Sequence, residues 1–387
     1  MNKIIYADCN GSHPPLTEVK EYLLKRLQGP FANPNALHGP GRNLHAALEK
    51  SRTVIANYLG AKNEQLIFTS GATEAINSIF HGIMPYAREE RRHYFILSAV
   101  EHPAVIETAK RYEAQGFSIK YLKVNHQGLI DTNELQDLLK KIGSKVALVA
   151  IMAANNETGI LQPYEEIAKL CQEFTVPYFC DTTQLIGKLP FHFENSKIDF
   201  VVMSSHKVGG LPGSGVLLVK KPTSLDPMIQ GGGQEYGHRS GTQNYLGIEC
   251  MAMAMHVSQE TLTKAKELEE AKLRFEKTIK ERFKKATIIG ETTPRLPGTT
   301  AISYQGVHGQ AVQIELESHG VFVTTSSACG DNEPFTSHVL KAMHFSDDVG
   351  RGVVRFSLSN HSDFHSYEKI TEALSQAYKK LSPIGHF

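Results

Sequence analysis

Short apolar runs alternate with segments of helical periodicity over the first two thirds of the chain. The runs that predict strands are residues 65–70, 93–100, 118–124, 145–155, 177–181, 199–205 and 215–221. The run 145–155 is almost unbroken apolar, as expected for a strand that is buried on both faces. Between the runs, segments 71–84, 103–115 and 164–174 have the apolar spacing of amphipathic helices. This alternation predicts an α/β fold with a mostly parallel sheet flanked by helices.

The pattern changes after about residue 255. Residues 259–286 predict one long amphipathic helix whose mixed charges form a solvated face. The elements predicted after it are strands at 301–307, 321–328 and 353–359 and helices at 309–319 and 366–381. We therefore expect a large α/β domain over 14–255 and a smaller α+β domain made of 1–13 plus 256–387, with the N-terminal segment packed onto the C-terminal unit.

Composition excludes several classes of function. With 387 residues, 41% hydrophobic and 21% charged, the chain is typical of globular proteins, and its net charge of +1 gives no field that would attract nucleic acid or an anionic membrane. No apolar run is long enough to span a bilayer, and the start lacks the apolar stretch of a signal peptide. The five cysteines have no CxxC spacing, which argues against a disulfide framework or a zinc site. We expect a cytoplasmic protein without a bound metal and without nucleic-acid or membrane partners.

Candidate chemistry lies at the carboxyl ends of the predicted strands, where open α/β sheets bind ligands. Strand 65–70 is followed by Gly71-Ala72-Thr73. Small residues that open a helix leave free N–H groups suited to a phosphate, although an ordinary helix start is the alternative. His102 follows strand 93–100 and could either pack as a polar side chain or lie against an aromatic ring.

Three further strand ends carry polar groups. Asn155 and Asn156 lie at the end of strand 145–155 and must be hydrogen-bonded if buried, unless they only form a turn. Asp181 ends strand 177–181 and needs a partner, for which a protonated ring nitrogen is suited. Lys207 follows strand 199–205. It is either a solvated charge or an amine nucleophile in a pocket, because burial favours its neutral form.

These side chains together match one cofactor. A phosphate cradle, a ring-stacking histidine, amides, an acid and a lysine are what pyridoxal 5′-phosphate (PLP) requires, since it binds a lysine as a Schiff base with an acid at the pyridine nitrogen. Nucleotide cofactors fit less well. The chain has no GxGxxG after the first strand and no GxxxxGK[ST] motif.

The order of motifs resembles a known family. FANPNALHG, FTSGATEAIN, VEHPAV, ANNETGILQP, CDTTQLIGKLP, SSHKVGG, GGGQEYGHRSGT, SSAC and RFSLS follow one another along most of the chain. This series is similar to the PLP-dependent class V aminotransferase superfamily and, within it, to cysteine desulfurases of the NifS/IscS type. The resemblance implies the PLP-dependent transferase fold of type I.

The resemblance also implies roles for individual residues. Lys207 would form the Schiff base, Asp181 would keep the ring nitrogen protonated, and His102 would stack on the ring and move protons. The other implied cofactor contacts are Ala72, Thr73, Ser204 and His206 at the phosphate and Asn156 and Gln184 on the ring-hydroxyl side. Arg355 matches the arginine that clamps the substrate carboxylate, and Asn33 would assist it. Thr242 would reach the phosphate of a neighbouring subunit, which implies a homodimer.

Cys329 distinguishes a desulfurase from its relatives. It follows the predicted strand 321–328 and precedes the polar segment GDNEP, so we expect its thiol to be reachable. The implied reaction converts L-cysteine to L-alanine, leaves a persulfide on Cys329 and passes the sulfur to a protein acceptor. The acceptor could serve iron–sulfur clusters, tRNA thiolation or thiocofactor synthesis. Cys171, Cys180 and Cys250 are typical of small core residues.

Several positions depart from the family pattern. Ser12 and His13 stand where the family has threonines, Cys9 replaces an asparagine, and GDNEPFTSHVL differs from the usual sequence after the cysteine. Two alternatives therefore remain open. One is another class V PLP enzyme, such as a selenocysteine lyase or an aminotransferase-like paralogue, and the other is a catalytically weak homologue that acts as a partner. Formation of alanine and persulfide from cysteine distinguishes a cysteine desulfurase from both alternatives.

Overall fold

The computed structural model describes residues 4–222, 225–325 and 336–382. The strands are β1 (Ile5–Tyr6), β2 (Leu66–Thr69), β3 (Tyr94–Ser98), β4 (Ser118–Leu122), β5 (Val146–Ala150), β6 (Tyr178–Asp181), β7 (Phe200–Ser204), β8 (Gly215–Val219), β9 (Ala286–Ile288), β10 (Thr299–Tyr304), β11 (Val321–Phe322), β12 (Thr324–Thr325) and β13 (Val354–Ser357). The helices are α1 (Thr17–Leu27), α2 (Gly39–Leu59), α3 (Ala72–Gly82), α4 (Met84–Glu89), α5 (Pro103–Glu113), α6 (Thr132–Ile142), α7 (Tyr164–Glu173), α8 (Tyr245–Thr261), α9 (Ala265–Arg282), α10 (Gly309–Ser318), α11 (His338–Ala342), α12 (Asp347–Arg351) and α13 (Ser366–Leu381).

A seven-stranded sheet forms the centre of the larger unit, in the order β2-β8-β7-β6-β5-β3-β4. The strands from β7 to β4 in this order are parallel, whereas β8 is antiparallel to both of its neighbours. The predicted α/β class with a mostly parallel, helix-flanked sheet is therefore confirmed. This topology places the carboxyl ends of β3, β5, β6 and β7 at one edge, where the candidate residues lie.

Hydrophobic cores cover both faces of this sheet. Every residue of β5 is buried, as its unbroken apolar sequence predicts. In β3, Phe95 and Leu97 belong to the core on one face and Ile96 to the core on the other. The period of two that separates them is that of a strand. Helices on both faces complete the layers and hold the sheet rigid beneath the site.

A smaller sheet, β12-β13-β10-β9, packs with α9, α10 and α13 around a separate core. The N-terminal segment joins this unit, since β1 pairs in parallel with β11. The segment then continues to the large sheet, where the N–H of His13 donates to the carbonyl of His206 at 2.9 Å. Residues 8–13 therefore lie between the two sheets. The domain boundary near residue 255 remains a prediction.

The prediction of a single helix over 259–286 was wrong. Helix α8 continues to Thr261, a 3₁₀ turn occupies Leu262–Lys264, and α9 ends at Arg282. The apolar side chains of α8 pack in the core of the large sheet, whereas those of α9 pack in the core of the small unit. The chain must change direction between the two cores, and the polar sequence there contains no glycine or proline that would reveal the bend.

The described part of the chain lacks two features. In it, no helix has both the length and the apolar character needed to cross a bilayer. Within the same ranges, no group of histidine, cysteine, aspartate and glutamate side chains is arranged to hold a metal ion.

Candidate active site

Lys207 ends a 3₁₀ turn that follows β7 directly. Its side chain is half-buried, and its Nζ donates to the carbonyl oxygens of Asn10 at 2.8 Å and Gly11 at 2.5 Å. Gly209, with φ of 84°, permits the chain to turn here, because a Cβ atom would lie 2.6 Å from Leu16 Cγ. The lysine is held against backbone oxygens of the N-terminal segment, as a pocket lysine would be.

The start of α3 adjoins the end of β7. Ser204 Oγ accepts a hydrogen bond from the N–H of Ala72 at 2.8 Å. The N-cap residue Gly71 provides no side-chain cap, and Thr73 is exposed in the first turn. Gly215 allows β8 to approach closely, since a Cβ there would lie 2.6 Å from the Cα of Gly71. The helix terminus retains the N–H groups and the hydroxyls that an anion needs.

His206 lies beside this turn and contacts the N-terminal segment. Its Nδ1 is 3.1 Å from Ser12 Oγ. Burial, with the nearby Lys207, lowers the pKa of His206 to about 4. The ring is therefore neutral at neutral pH, and Ser12, which departs from the family pattern, forms the hydrogen bond that orients it.

Asp181 ends β6 and is buried. Its Oδ1 accepts the N–H of Thr183 at 2.9 Å, and it forms no ion pair with any residue that the structure describes. His102 caps α5, where its Nδ1 accepts the N–H of Ala104 at 3.1 Å. Burial lowers the pKa of His102, the Asp181 carboxylate opposes this shift, and Lys207 reinforces it. Asp181, His102 and Lys207 therefore face one another closely enough to interact.

Gln184 and Asn156 both contact Asn10. Gln184 Nε2 donates to the carbonyl of Asn10 at 3.0 Å, and Gln184 Oε1 accepts from Lys188. Asn156 accepts through its backbone carbonyl, from Asn10 Nδ2 at 3.2 Å and from Arg355 Nη1 at 2.9 Å. The predicted ring-hydroxyl contacts of these two residues remain a prediction, but the structure brings both to the position of Lys207.

Arg355 lies on β13 of the smaller sheet and points toward the same segment. Its Nη2 donates to Asp8 Oδ1 at 2.6 Å, while the Asp8 side chain retains 24% of its exposure. The Arg355 side chain is 9% exposed. A single oxygen of Asp8 binds the guanidinium, so the two-pronged contact that arginine can make with a carboxylate is incomplete.

Asn33 and Thr242 lie in exposed segments. Asn33 Oδ1 accepts the N–H of Asn35 at 2.9 Å, a local turn contact that does not join it to Arg355. The loop that carries Thr242 is tied to the first turn of α3 by an ion pair of Arg239 with Glu74 at 2.9 Å. The assisting role of Asn33 and the intersubunit role of Thr242 remain predictions.

Cys329, the predicted persulfide residue, lies outside the described residues. The other four cysteines are free and buried. Burial raises the pKa of the Cys9 and Cys250 thiols to about 11, which suppresses their reactive thiolate form. The interpretation of Cys171 and Cys180 as core residues is confirmed.

Sequence reasoning missed a second set of polar residues. Asp8 accepts a hydrogen bond from Arg355, and the carbonyl of Asn10 accepts one from Lys207. Lys188 donates to Gln184. Glu101, which precedes His102, is fully buried. Burial raises the pKa of Glu101 to about 8, so that its carboxyl is protonated at neutral pH. The only signal in the sequence is a polar residue inside an otherwise apolar stretch, such as Lys188 in QLIGKLP.

The arrangement fits the PLP that the sequence predicts. Among the residues that the structure describes, Asp181 is a buried acid with no ion-pair partner, and a positively charged group would stabilise it. The protonated pyridine nitrogen of PLP has the required charge. The uncapped start of α3, with Thr73, Ser204 and His206, has the donors for its phosphate.

Comparison with known proteins gives a consistent result. The family model described as class V aminotransferase matches residues 5–369. A protein of Dictyoglomus turgidum named cysteine desulfurase IscS is 32% identical over 388 residues, which cover 100% of this chain and 98% of that protein. A cysteine desulfurase of Sinorhizobium fredii is 34% identical, over 97% of each chain.

Solved structures agree. A NifS-like protein superposes with a TM-score of 0.90 at 32% identity, over 98% of this chain and 100% of the other. A NifS-like protein from Rickettsia africae gives a TM-score of 0.84 at 29% identity, over 97% of this chain and 100% of the other. A structure described as SspA in complex with cysteine gives 0.79 at 29% identity, over 93% of this chain and 100% of the other.

Proposed function

The chain belongs to the class V aminotransferase family, and we infer from its full-length relatives named cysteine desulfurase that it is a cysteine desulfurase, which releases L-alanine from L-cysteine and retains the sulfur. The structural observation that best supports this function is that Lys207, Asp181 and Arg355 lie in the same region. Two sheets contribute them, and residues 8–11 connect Lys207 with Arg355.

PLP is the cofactor we propose, and when bound it would supply an electron sink for the negative charge that develops on the substrate. Asp181 would hold the ring nitrogen, and His102 would cover the ring. Thr73, Ser204 and His206 would bind the phosphate, together with the free N–H groups of α3. Lys207 would attach the cofactor covalently.

Arg355 would bind the carboxylate of cysteine. Its guanidinium is oriented by Asp8 and by the carbonyl of Asn156, at 2.6 and 2.9 Å. A planar fork fixed in this way positions a carboxylate in two directions at once, which an ammonium group cannot do. The amino group and the thiol of the substrate would then take defined directions from that anchor.

Proton transfer falls to Lys207 and His102. Burial and Lys207 lower the pKa of His102, while Asp181 opposes the shift, so the neutral form, which can accept a proton, is favoured. Lys207 has an amine that can accept the α-proton once the substrate occupies its place. Both groups follow strands that end at the same edge of the sheet, His102 after β3 and Lys207 after β7.

Cys329 would receive the sulfur. Its thiolate attacks the sulfur of the substrate, the carbon–sulfur bond breaks, an S–S bond forms, and protons complete L-alanine. The products are alanine and a Cys329 persulfide, so atoms and electrons balance without an added oxidant. A protein acceptor would take the sulfur onward, toward iron–sulfur clusters, thiolated tRNA or thiocofactors.

A homodimer is part of the proposal. Thr242 is exposed on a loop that Arg239 fixes, and the apolar side chains of Phe31, Leu37 and Tyr236 are also exposed. Exposed large apolar residues in several neighbouring loops favour a protein interface. In such a dimer Thr242 of one subunit would contact the phosphate in the other.

The experiment gives the purified protein PLP and L-cysteine and counts alanine and sulfide. With a thiol reductant we expect continued turnover, and without reductant or acceptor about one alanine per chain, because the persulfide then blocks Cys329. Cys329→Ala and Lys207→Ala should each release alanine at least about a thousandfold more slowly.

Cys250→Ala is the matched control, since it removes a buried thiol and should leave turnover unchanged. If the wild type binds PLP and forms no alanine, the desulfurase function is excluded. If Cys329→Ala still forms alanine at the wild-type rate, the protein is another class V enzyme whose reaction does not need that thiol.

A further inference from the structure

Lys188 is a buried lysine that the proposed reaction does not use. It lies in the apolar stretch Leu185-Ile186-Gly187-Lys188-Leu189 after β6, and only 5% of it is exposed. Burying a lysine is costly unless its amine is hydrogen-bonded. The acceptors that satisfy it are therefore informative.

Two side-chain amides accept from Lys188. Its Nζ is 2.6 Å from Asn10 Oδ1 and 2.5 Å from Gln184 Oε1. The amine of Lys188 has N–H donors in both its neutral and its protonated form, so each amide turns its oxygen toward Lys188 and its NH₂ group away. Lys188 therefore holds the oxygen of both amides, while backbone carbonyls accept from their NH₂ groups.

The NH₂ groups that Lys188 directs outward reach the candidate site. Asn10 Nδ2 donates to the carbonyl of Asn156 at 3.2 Å and to Thr299 Oγ1 at 3.1 Å. Gln184 Nε2 donates to the carbonyl of Asn10 at 3.0 Å, and that same oxygen accepts from Lys207 Nζ at 2.8 Å. Lys188 is thus joined to Lys207 through one residue, Asn10.

We propose that Lys188 is a positioning residue, which makes Gln184 present a hydrogen-bond donor to the ring-hydroxyl side of the cofactor and holds Asn10 in place against Lys207. The proposal rests on the proposed PLP-dependent function. It assigns Gln184 a polarity that its residue type leaves open, since an amide can present either a donor or an acceptor.

Lys188 and Lys207 also lower each other's tendency to carry a positive charge. Burial, together with the positive charges of Lys207 and Arg355, lowers the pKa of Lys188 to about 7, and Cys9 opposes this shift. Because such interactions are mutual, a charge on Lys188 also disfavours a charge on Lys207. Among the described residues, the ionisable groups whose pKa responds to Lys207 include His102, His206 and Lys188 itself.

The test uses Lys188→Met in the holoenzyme, with the absorbance of bound PLP recorded from pH 6 to pH 10. Methionine keeps the length and the burial but offers no donor, so the oxygens of Gln184 and Asn10 lose the group that holds them. We expect the midpoint of the pH-dependent spectral change to rise by about one pH unit or more, because a displaced Gln184 no longer donates a hydrogen bond to the ring-hydroxyl side.

Lys272→Met is the matched control. Lys272 is 1% exposed, but its Nζ donates to the carbonyl of Leu296 in the smaller unit, so its loss should leave the midpoint unchanged. An unchanged midpoint in Lys188→Met, with bound PLP, would overturn the proposal. A shift of equal size in both variants would do so as well, since it would come from general destabilisation.

Gln184→Glu tests the inference without altering Lys188. Glutamate keeps an acceptor for Lys188 and removes the donor Nε2, so its midpoint should also rise. A Gln184→Glu protein that titrates like the wild type would overturn the inference alone. A wild type that takes up no PLP would instead overturn the proposed function, and the inference with it.

Discussion

Two buried arginines, one in the core of the smaller unit and one at the candidate site, have different partners. Arg295 binds Glu276 through two parallel contacts, at 2.6 and 2.8 Å, and both side chains are almost inaccessible. Arg355 binds one oxygen of the partly exposed Asp8 and a backbone carbonyl. In both arginines the buried Nε atom has no hydrogen-bond partner among the described residues, so the number and exposure of the carboxylate contacts make the difference.

The two buried lysines repeat this contrast. Lys272 donates to a backbone carbonyl, which cannot turn, whereas Lys188 donates to two side-chain amides, which can. In the smaller unit the chain satisfies its own cations with fixed groups, and the result is stability. At the site, Arg355 has an incomplete set of carboxylate contacts, and Lys188 is bound by amides that can rotate. Arg355 can therefore still bind a ligand, and Lys188 can orient the groups that would contact one.

The largest effect is expected for Glu276→Gln. It leaves Arg295 charged and buried without a carboxylate, so the free energy of unfolding should fall by about 3–5 kcal/mol. Urea unfolding followed by circular dichroism measures the change. The control is Glu291→Gln, which breaks an exposed pair with Lys280 (42% and 44% exposed) and should cost less than about 1 kcal/mol. Equal losses in the two variants would refute the contrast.

Arg355→Lys should act on catalysis instead of stability. Replacing the fork by an ammonium group should lower kcat/KM for L-cysteine by about a hundredfold, mostly through KM, because bidentate binding of the carboxylate is lost. Steady-state alanine release measures it. Arg295→Lys provides the comparison, since it should destabilise the protein and leave KM near its wild-type value. A normal KM in Arg355→Lys would exclude the arginine as the carboxylate anchor.

Much of the large sheet follows from local sequence, and the reason is burial. Strands covered on both faces, such as β5 with Val146–Ala150, must be apolar throughout, so their sequence identifies them. Strand ends then locate Asp181 and Lys207 at one edge. The break between α8 and α9 could not be predicted, because it depends on which of two cores each helix faces.

The supporting contacts of the site could not be predicted for a related reason. Asp8 and Arg355 are 347 residues apart, and Lys188 and Asn10 are 178 apart. No periodicity or spacing relates such positions. Lys188 is also exceptional by residue type, since lysines are rarely buried, and only the fold shows which amides accept from it.

The stability of the smaller unit should depend on pH through Lys272. Burial and the charge of Arg295 together lower the pKa of Lys272 to about 8, against the opposing effect of Glu276, whereas the unfolded value is near 10.5. Between the folded and the unfolded pKa, the unfolded state binds more protons than the folded state. The free energy of unfolding is therefore highest above the unfolded pKa and falls as the pH falls through the folded pKa. The free energy of unfolding should therefore rise by about 1 kcal/mol from pH 7 to pH 9, and Lys272→Met should remove that part of the slope. An identical slope in the variant would contradict this assignment.

The smallest effect is expected for Asp8→Asn. This variant tests the comparison most directly, because it makes at Arg355 the same acid-to-amide change that Glu276→Gln makes at Arg295. In Asp8→Asn the amide oxygen can still accept from Arg355, which keeps the guanidinium oriented, and the negative charge that repels the substrate carboxylate is lost. We expect KM for L-cysteine to fall by no more than about threefold, with a stability change below about 1 kcal/mol. Asp8→Ala loses the orientation as well, so its KM should rise. If Asp8→Asn instead destabilises the protein as strongly as Glu276→Gln, Asp8 has the same structural role as Glu276, and Arg355 has no spare capacity for a ligand.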